Sequence, residues 1–582
     1  MTDTRSPRLL SAVAGLGDRG AWPQAVCGGV ALAVVQPPAD LWMLAWLAPL
    51  PWLALVQAAT LDGRRPWLAI WCGGLVHWLA AIHWLRLPHP ATSIGWLLLS
   101  AYLAAYAPLF VWLARRLVHR WRWPLVPAAA VAWMACEQLR GALLGGFTFA
   151  MLGHTQWRFT ALVQIADALG AVGVGGVVMA VAAAMAVALH DRGGPGTRGA
   201  AVTAVAVLAA TLGYGAWRLA GEPVFPGQPL DVLLVQGSID TELKHDPDAA
   251  GDVARHYDDL TITALAAAAT RPDLVVWPET MWRWGLLEID PEEPLDEAVV
   301  EQVLGPEPAD TDAASRAARR ERCRAELSRQ RLDALAVYAR RYATCWLVGL
   351  DRQVVSPRVA GGVEHYNSAL FLDAEGRALA RYDKMHPVMF GEYVPLGDRF
   401  PLLYRLTPLP GGLTPGRMPV ALDVAGFRVA PTICYETALP GAVRSLVRSL
   451  AAAGSRPDVL VNLTNDGWFW GSSELDMHLT AAIFRAIEVR TPIVIAANTG
   501  FSASIDGSGR LLARGPRRAT ATLRVPVRPD GRPSPWLAAA TLPAGAWLAV
   551  AAAVTAESLL ARHLKRRGRP TGAAAKPSLE QP

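Results

Sequence analysis

Two side chains with nucleophile and base chemistry stand at the ends of strand-like runs. Cys434 follows the run VAPTI and Glu279 follows LVVWP, and strand ends are where α/β proteins expose reactive groups at the edge of a rigid sheet. A cysteine attacks as its thiolate, so Cys434 needs a neighbouring base or positive charge to lower its pKa from about 8.5. Glu279 is the natural base for such a thiol. The two residues together indicate covalent catalysis through a cysteine.

A third functional segment is RYDKMHPVMFGEYVPLG, which contains Lys384, His386 and Glu392. A solitary lysine is normally a surface residue, but plain surface rarely carries so many functional groups in one short stretch. A hydrogen-bond network of His386 and Glu392 that supports the loop is compatible with catalysis, because supporting groups hold catalytic side chains in place. Asn465 and Asp466 follow one more strand-like run, LVNLT.

The chain between residues 222 and 535 predicts the elements that position these side chains. Helix-like segments at 249–268, 313–341, 440–452 and 475–489 are interspersed among strand-like runs at 231–236, 273–279, 344–350, 368–373, 427–436, 458–466 and 491–498. Such an alternation is typical of an α/β layered domain. The acidic, proline-containing stretch 288–314 is interpreted as a solvated loop or insertion.

The rest of the chain is apolar. Overall 52% of the residues are hydrophobic and 18% are charged, whereas a soluble protein carries about 25% charged residues. A bilayer span needs about 20 mostly apolar residues, and eight candidate spans lie near 21–36, 41–59, 66–87, 95–114, 123–140, 169–190, 199–217 and 536–560. The first is short and is closed by Pro37 and Pro38, so a re-entrant segment is its alternative, and that alternative would reverse the parity of the spans.

The distribution of positive charge predicts the orientation. Cytoplasmic segments carry an excess of Lys and Arg. A cytoplasmic amino terminus places the following residues inside: Arg5, Arg8, Arg64, Arg65, Arg115, Arg116, Arg120, Arg122, Arg192, Arg198, Arg562, Lys565, Arg566, Arg567 and Arg569. The outside loops then contain only Arg86, Arg140 and Arg158. This asymmetry favours seven spans at 1–220, an extracytoplasmic catalytic domain at 221–535, and a last span with a basic cytoplasmic tail at 536–582.

The motifs resemble those of the nitrilase, or carbon–nitrogen hydrolase, superfamily, whose catalytic residues are a Glu, a Lys and a Cys in that chain order. WPET carries Glu279, YDKMHPVMFGEYVP carries Lys384 and TICYE carries Cys434, and NLTNDGWF, HLTAAIFRAIEVRTP and AANTGFSASIDGSG extend the match. With membrane segments on both sides, the chain is similar to the apolipoprotein N-acyltransferase family. The resemblance implies a nitrilase-like αββα sandwich beside a multi-span α-helical membrane bundle.

The resemblance also implies the reaction. Cys434 would accept a fatty acyl chain from a phospholipid as a thioester and pass it to the amino group of a diacylglyceryl-modified cysteine on an apolipoprotein. Glu279 would shuttle the proton, and Lys384 would stabilise the oxyanion. Tyr435, Glu436 and Glu392 are expected to support the nucleophile. We expect a monomer in the inner membrane of a two-membrane cell, surrounded by membrane lipids, with its catalytic domain in the periplasm.

Apolar residues near the triad are candidates for a lipid entrance. Trp282 and Trp284 follow Glu279, and Trp468 and Phe469 follow the NLTND motif. Each of these aromatic residues is equally well explained as a buried core residue.

Other classes of function are less consistent with the sequence. A membrane-tethered nitrilase-like amidohydrolase shares the triad and stays the main alternative, and a noncatalytic membrane scaffold is a weaker one. The chain has no CxxC or HExxH metal motif, no Gly-rich phosphate loop and no nucleic-acid motif, so neither a metal nor an organic cofactor is expected. A disulfide between Cys323 and Cys345, which would leave Cys434 free, is one open arrangement in an oxidising compartment.

Overall fold

The computed structural model describes residues 20–191, 194–222, 225–240, 248–306, 312–357, 362–397, 399–406, 411–539 and 541–567. The elements form two parts. An apolar helical bundle is built from the first and last segments of the chain, and a two-sheet domain is built from the segment between them.

The bundle is built from helices that contain few charged residues. Its members are α1 (Ala21–Val34), α2 (Leu50–Gln57), α3 (Pro66–Ala81), α4 (Thr92–Ala104), α5 (Tyr106–Arg115), α6 (Leu125–Arg140), α7 (Thr160–Val163), α8 (Ala166–Asp191), α9 (Pro195–Ala220), α15 (Pro535–Ala539) and α16 (Thr541–Arg567). The helices of the other part are α10 (Ala250–Ala266), α11 (Glu297–Leu304), α12 (Ala313–Tyr342), α13 (Pro440–Ala452) and α14 (Glu474–Val489).

Four helical stretches among the described residues are long and apolar enough to cross a membrane: Thr92–Arg120, Ala166–Asp191, Pro195–Ala220 and Thr541–Leu560. Shorter apolar helices occupy Ala21–Val34, Trp42–Gln57 and Pro66–Ala81. The predicted apolar bundle beside an α/β domain is confirmed, whereas the number of eight spans stays a prediction. The first predicted span is a helix of 14 residues, which at 1.5 Å per residue is shorter than the hydrocarbon core of about 30 Å.

Glycines bring α1 and α3 into close contact. A Cβ atom on Gly29 would lie 2.0 Å from the Gly73 carbonyl oxygen, and a Cβ atom on Gly73 would lie 2.1 Å from the Ala25 carbonyl oxygen. Apolar helices in a bilayer gain little from burial alone, so close backbone approach at small residues is how they pack. The first predicted span is therefore an integral part of the bundle.

The two-sheet domain has six strands in each sheet. The first sheet contains β1 (Leu230–Gln236), β2 (Leu274–Ile289), β3 (Cys345–Val355), β4 (Val363–Leu372), β5 (Ala378–Asp383) and β12 (Ala521–Val527), in the order β12-β1-β2-β3-β4-β5. The second contains β6 (Leu422–Val424), β7 (Phe427–Ile433), β8 (Val459–Thr464), β9 (Ile493–Ala497), β10 (Ala503–Ile505) and β11 (Leu511–Arg514), in the order β11-β10-β9-β8-β7-β6.

Alternating strand residues explain the layers. On β1, Val232 and Leu234 belong to the core between the sheets, while Leu233 and Val235 pack under α10 and α12. Successive side chains of a strand point to opposite faces, so a strand covered on both faces is apolar throughout. With α13 and α14 against the second sheet, the domain is an αββα sandwich, and the predicted nitrilase-like architecture is confirmed.

Helix α14 joins the sandwich to the bundle. It lies between the second sheet and α8, and every one of its residues except Asp476 is buried. At its end Arg490 Nη2 lies 2.6 Å from Asp167 Oδ2, and Arg218 Nε lies 2.6 Å from the same oxygen. Buried charges persist only when they are paired and hydrogen-bonded, so these ion pairs fix the sandwich to α8 and α9.

All six cysteines are free in the structure. The possible disulfide between Cys323 and Cys345 is not formed: Cys323 is buried on α12, and Cys345 begins β3.

Candidate active site

The structure brings Glu279, Lys384 and Cys434 together at one end of the sandwich. Lys384 Nζ lies 3.6 Å from Glu279 Oε1, and the charges of both residues act on the Cys434 thiol. Glu279 lies within β2, Lys384 follows β5 directly, and Cys434 follows β7 directly. The two sheets thus contribute to one site, which is why residues 155 positions apart along the chain can act jointly.

Backbone irregularities mark two of the three positions. Cys434 has a φ of 52° and Thr280, next to Glu279, has a φ of 55°. Non-glycine residues in this left-handed region carry a conformational cost of about 1–3 kcal/mol and cluster at functional sites. The neighbouring strand β3 has a glycine, Gly349, beside the irregular part of β2. A larger residue would not fit there, because a Cβ atom on Gly349 would lie 2.3 Å from the Pro278 carbonyl oxygen.

Glu279 is held through both carboxylate oxygens. Asn367 Nδ2 donates to Oε1 at 2.6 Å, and the backbone N–H of Asn465 donates to Oε2 at 2.9 Å. These donors fix the orientation of the carboxylate, so that it faces Lys384 and the thiol. Asn465 was singled out in the sequence, but Asn367 was missed because it lies inside a strand with no recognisable motif.

Lys384 is a buried cation with two carboxylate neighbours. Its side chain is almost fully buried, and Nζ donates to Glu392 Oε1 at 2.7 Å. Burial alone disfavours the ammonium ion, but Glu392 and then Glu279 outweigh it and raise the pKa of Lys384 above its usual range. Glu392 is itself tied to the loop, since its Oε2 accepts from the Val388 N–H at 2.7 Å. Lys384 is therefore a fixed positive charge suited to an oxyanion.

Burial and a neighbouring carboxylate disfavour the thiolate form of Cys434. Burial, and then the negative charge of Glu279, raise its pKa well above the usual value, while Lys384 acts in the opposite direction. A preformed thiolate is thus disfavoured. The geometry fits general-base catalysis, in which the thiol proton moves to Glu279 as sulfur attacks.

Glu436 ties the nucleophile to the lysine loop. Its carboxylate accepts hydrogen bonds from Ile433 N at 2.8 Å, Met385 N at 2.7 Å, His386 N at 3.0 Å and Tyr382 OH at 2.8 Å. Burial would raise the pKa of Glu436, but the donors around it lower the value. A buried carboxylate with this many donors is a rigid bridge between the turn of Cys434 and the loop of Lys384.

The turn of Cys434 also rests on the bundle. Tyr435 OH donates to the Gly146 carbonyl oxygen at 3.0 Å, and Thr148 Oγ1 donates to the Ala438 carbonyl oxygen at 2.6 Å. The ring of Tyr435 lies 5.8 Å from that of Phe149. The nucleophile is therefore positioned next to the apolar part of the molecule.

The interpretation of Trp282 as an entrance residue is wrong. Its side chain is 1% exposed and packs edge-on against Tyr338 and Trp346, in the core beneath α12. The reason is that β2 does not end at Glu279 but continues to Ile289. Trp284, two residues on, is 39% exposed, and its ring lies 4.8 Å from that of Trp282. The Trp284 carbonyl oxygen accepts a hydrogen bond from Arg331 Nη1 of α12 at 3.2 Å, so Trp284 lies beside α12 together with Trp282.

Trp468 and Phe469 lie at the border between the sandwich and the bundle. Both are half-buried in the turn Asp466–Phe469 that follows β8. The Phe469 ring lies 5.0 Å from that of Trp84 in the bundle. Three other large apolar side chains on loops are exposed: Leu144 in the bundle, and Phe390 and Leu396 in the segment that contains Lys384.

One buried cluster has the composition of a metal site. Ligand atoms of Asp466, Glu474 and His478 all lie within 4.8 Å of one another. Both nitrogens of the His478 ring are already engaged, however, since Nδ1 lies 3.2 Å from Asp466 Oδ1 and Nε2 lies 3.1 Å from the Cys434 carbonyl oxygen. The cluster is a hydrogen-bonded support of the nucleophile. His478 was missed as a site residue because a single histidine on a helix gives no signal of its own.

An αββα sandwich that joins a buried Glu and a buried Lys to a half-buried Cys defines a cysteine-dependent enzyme of the carbon–nitrogen hydrolase class. Residues 234–531 match the family model described as carbon-nitrogen hydrolase, and residues 28–184 match the one described as apolipoprotein N-acyltransferase N-terminal domain. The chain belongs to the apolipoprotein N-acyltransferase family, whose members are membrane N-acyltransferases.

Curated relatives extend over most of the chain. The apolipoprotein N-acyltransferase of Rhodopirellula baltica is 31% identical over 550 residues, which cover 89% of this chain and 93% of that protein. The one from Geobacter metallireducens is 32% identical over 520 residues, covering 87% and 88%. Among solved structures, an amidase from Nesterenkonia sp. is 18% identical and covers 54% of this chain and 95% of its own, with a TM-score of 0.33.

Proposed function

We propose that this enzyme transfers a fatty acyl chain from a phospholipid, through a thioester on Cys434, to the N-terminal amine of diacylglyceryl-cysteine on apolipoproteins. The observation that carries the proposal is the position of the Cys434 turn against the bundle, through Tyr435 and Gly146. Both substrates are anchored in a bilayer. A nucleophile beside an apolar bundle can therefore react with them at the level of the lipid headgroups, and neither substrate has to leave the membrane.

In the acylation step, Cys434 Sγ attacks the ester carbonyl carbon of the phospholipid while Glu279 accepts the thiol proton. The resulting oxyanion is stabilised by Lys384, an interaction type worth about 100- to 1000-fold for one donor. The carbon–oxygen bond then breaks. Glu279 returns the proton to the departing oxygen, so a lysophospholipid leaves and the acyl chain stays on sulfur.

In the transfer step, the free amine of the apolipoprotein attacks the thioester carbonyl carbon and loses a proton to Glu279. Lys384 again stabilises the oxyanion. The carbon–sulfur bond breaks, and Glu279 protonates the departing sulfur, which restores Cys434 and Glu279 and leaves the acyl chain in an amide. Water in place of the amine gives the amidohydrolase alternative, and the apolar surroundings of the site favour the amine.

The supporting roles follow the contacts. Glu392 holds Lys384, Glu436 bridges the lysine loop to the nucleophile, and Tyr435 fixes the turn to the bundle. Trp468 and Phe469 are proposed to line the acyl-chain entrance. The enzyme is proposed to act as a monomer, because one chain supplies the whole triad. The proposed reaction uses no metal and no organic cofactor.

The proposed topology has eight spans, seven within 1–220 and the last within 536–582, with the amino terminus and the basic tail in the cytoplasm and the catalytic domain at 221–535 in the periplasm. Its support is the positive charge at the predicted inner ends, such as Arg64, Arg65 and Arg116. Arg5, Arg8, Arg192 and Arg569, which belong to the same argument, lie outside the described residues.

The decisive experiment supplies purified enzyme with a phospholipid labelled in its acyl chain and a diacylated lipopeptide with a free amino terminus. Mass spectrometry then follows the label. Label in an amide on the lipopeptide is the expected result. Label only in free fatty acid would mean that water is the acyl acceptor and would replace the proposal by a hydrolase. The Cys434→Ala protein is the blank for uncatalysed transfer.

A further inference from the structure

The carbonyl group of the nucleophile is held by two buried side chains from different elements. His478 Nε2 on α14 lies 3.1 Å from the Cys434 carbonyl oxygen, and Asn462 Nδ2 on β8 donates to the same oxygen at 3.2 Å. Cys434 occupies the left-handed region, with a φ of 52°. A residue in that region persists only where its surroundings enforce it, and these two donors are the contacts that fix its peptide group.

The contacts of His478 make both ring nitrogens donors. Nδ1 lies 3.2 Å from Asp466 Oδ1 and 4.0 Å from Glu474 Oε1, while Nε2 faces a carbonyl oxygen, which can only accept. The ring is buried, which disfavours its charge, but Asp466 outweighs burial and raises the pKa of His478 to about 9. The ring is therefore an imidazolium at neutral pH.

Two acidic side chains lie next to the His478 ring. Burial, and then Asp466, raise the pKa of Glu474 well above its usual value, which favours its uncharged form. On the Nε2 side the ring meets the Cys434 carbonyl oxygen, and the charges of Glu279, Lys384, Asp466 and Glu392 act on the thiol of that residue. Asp466, at 3.2 Å, is the nearest partner for the positive charge of the ring.

We infer that His478 is a positioning residue, which clamps the Cys434–Tyr435 peptide so that the Tyr435 N–H serves the oxyanion together with Lys384. A trans peptide is planar, with its N–H opposite its C=O. Holding the carbonyl oxygen of Cys434 towards α14 therefore directs the Tyr435 N–H to the other side of the turn. The N–H of the residue after a nucleophile at such a turn is a general source of oxyanion stabilisation.

This inference rests on the proposed role of Cys434 as the nucleophile, and it has a consequence in alkaline solution. When the imidazolium loses a proton, its remaining N–H stays with the Asp466 carboxylate, because a charged acceptor binds it more strongly. The Nε2 lone pair then faces the carbonyl oxygen and repels it. The clamp opens, and the rate of acylation falls with an apparent pKa of about 9.

The test uses three variants of the full-length enzyme. His478→Gln keeps an N–H donor and removes the titration, and His478→Leu removes the donor. Thr480→Val is the matched control, because Thr480 is buried on the same helix and its hydroxyl bonds only the Asp476 carbonyl of that helix. The measurement is single-turnover thioester formation on Cys434, by mass spectrometry of the intact protein, between pH 6.5 and 10.

The acyl donor in this test is phosphatidylglycerol, whose headgroup does not titrate in this range, and no amine acceptor is present. We expect His478→Leu to acylate about 100-fold more slowly with an unchanged KM for the phospholipid, and His478→Gln to stay within about 10-fold of the wild type. The alkaline decline near pH 9 should be present in the wild type and in Thr480→Val, and absent from His478→Gln.

Several outcomes would overturn the inference: full acylation rate in His478→Leu, equal losses in the Gln and Leu variants, or an alkaline decline that persists in His478→Gln. If His478→Leu does not fold, as judged by its thermal melting, the pH profile of His478→Gln still decides. Failure of the wild type to form any thioester would instead refute the proposed function, so the two failures are distinguishable.

Discussion

At the scale of single residues, the site is a set of charges whose protonation is imposed by their neighbours. Glu279, Lys384 and Cys434 were identifiable in the sequence because each stands in a distinctive motif, although only Lys384 and Cys434 directly follow the end of a strand. The groups that orient them were not identifiable. Asn367, Asn462 and His478 come from β4, β8 and α14, and nothing in their local sequence shows that a carboxylate or a strained peptide lies next to them in space.

The nucleophile is the first residue to test. Cys434→Ala removes the attacking sulfur and little volume, so we expect thioester and product to fall by more than about 10⁴-fold with an unchanged thermal melting temperature. Cys345→Ala is the control, because that thiol begins β3 and the charge that acts on it is that of Asp373, which is not a triad residue. Residual turnover near the wild-type rate in the Cys434 variant would rule out the thioester mechanism.

Glu279→Gln probes the proton transfer. The amide cannot accept the thiol proton, and its NH2 group faces one of the two N–H donors, on Asn367 or on Asn465, so we expect acylation to fall by about 10²- to 10⁴-fold. Glu288→Gln on the same strand is the matched control, since Glu288 pairs with Arg352 and Arg381 instead. Single-turnover acylation measures both, and a loss of equal size in the control would show that strand packing, not the base, is responsible.

The protonation of His478 also predicts how stability depends on pH. Its folded-state pKa of about 9 lies above the unfolded value of 6.5, so its contribution, of about 3 kcal/mol, is complete below pH 6.5 and is lost as pH rises through 9. We expect the difference in melting temperature between wild type and His478→Gln to shrink between pH 7 and pH 10. A difference that stays constant over this range would mean that the ring does not titrate there.

At the scale of elements, the strongly patterned segments were predictable and the breaks in them were not. The strand-like runs that became β1, β3, β7, β8 and β9, and the helices α10, α12, α13 and α14, lie within a few residues of their predicted positions. The short strands β6, β10 and β11 were missed because three or four residues carry too little periodicity. β2 was predicted too short because two residues with positive φ, Thr280 and Gly285, interrupt the regular alternation of the strand beyond Glu279.

The extended β2 makes Trp282 a structural residue. Trp282→Ala leaves a cavity beside Tyr338 and Trp346, so we expect the free energy of unfolding to fall by about 3–5 kcal/mol, with an unchanged KM for the phospholipid in the protein that remains folded. Phe469→Ala, at the proposed entrance, should raise that KM and change stability less. A raised KM in Trp282→Ala together with an unchanged melting temperature would restore the original interpretation of Trp282.

At the scale of the whole molecule, α14 explains why the catalytic domain and the bundle function as one body. A helix that is buried on every face can contain charged residues only where each charge has a partner. On α14, Arg485 and Glu488 form such an ion pair at 2.6 Å. The pairing of Arg490 with Asp167, which is 323 residues away, could not be foreseen from the sequence, because it depends on how α8 meets the sandwich.

The charge pattern predicts the orientation of the whole protein in the membrane. With the amino terminus inside, Thr60 precedes the arginines of an inner loop, whereas Ala91 and Ala314 lie outside the cytoplasm, and all three residues are exposed. A single cysteine introduced at each position reports the side of the membrane on which it lies, through its reaction with a membrane-impermeant maleimide. The parent chain, which has the native thiols alone, is the control. We expect Ala91→Cys and Ala314→Cys to react in intact cells with a permeable outer membrane, and Thr60→Cys to react only after the inner membrane is opened.

The reverse pattern would place the catalytic domain in the cytoplasm. Reaction of both Thr60→Cys and Ala91→Cys from the same side would mean that α3 does not cross, and the eight-span topology would then be wrong.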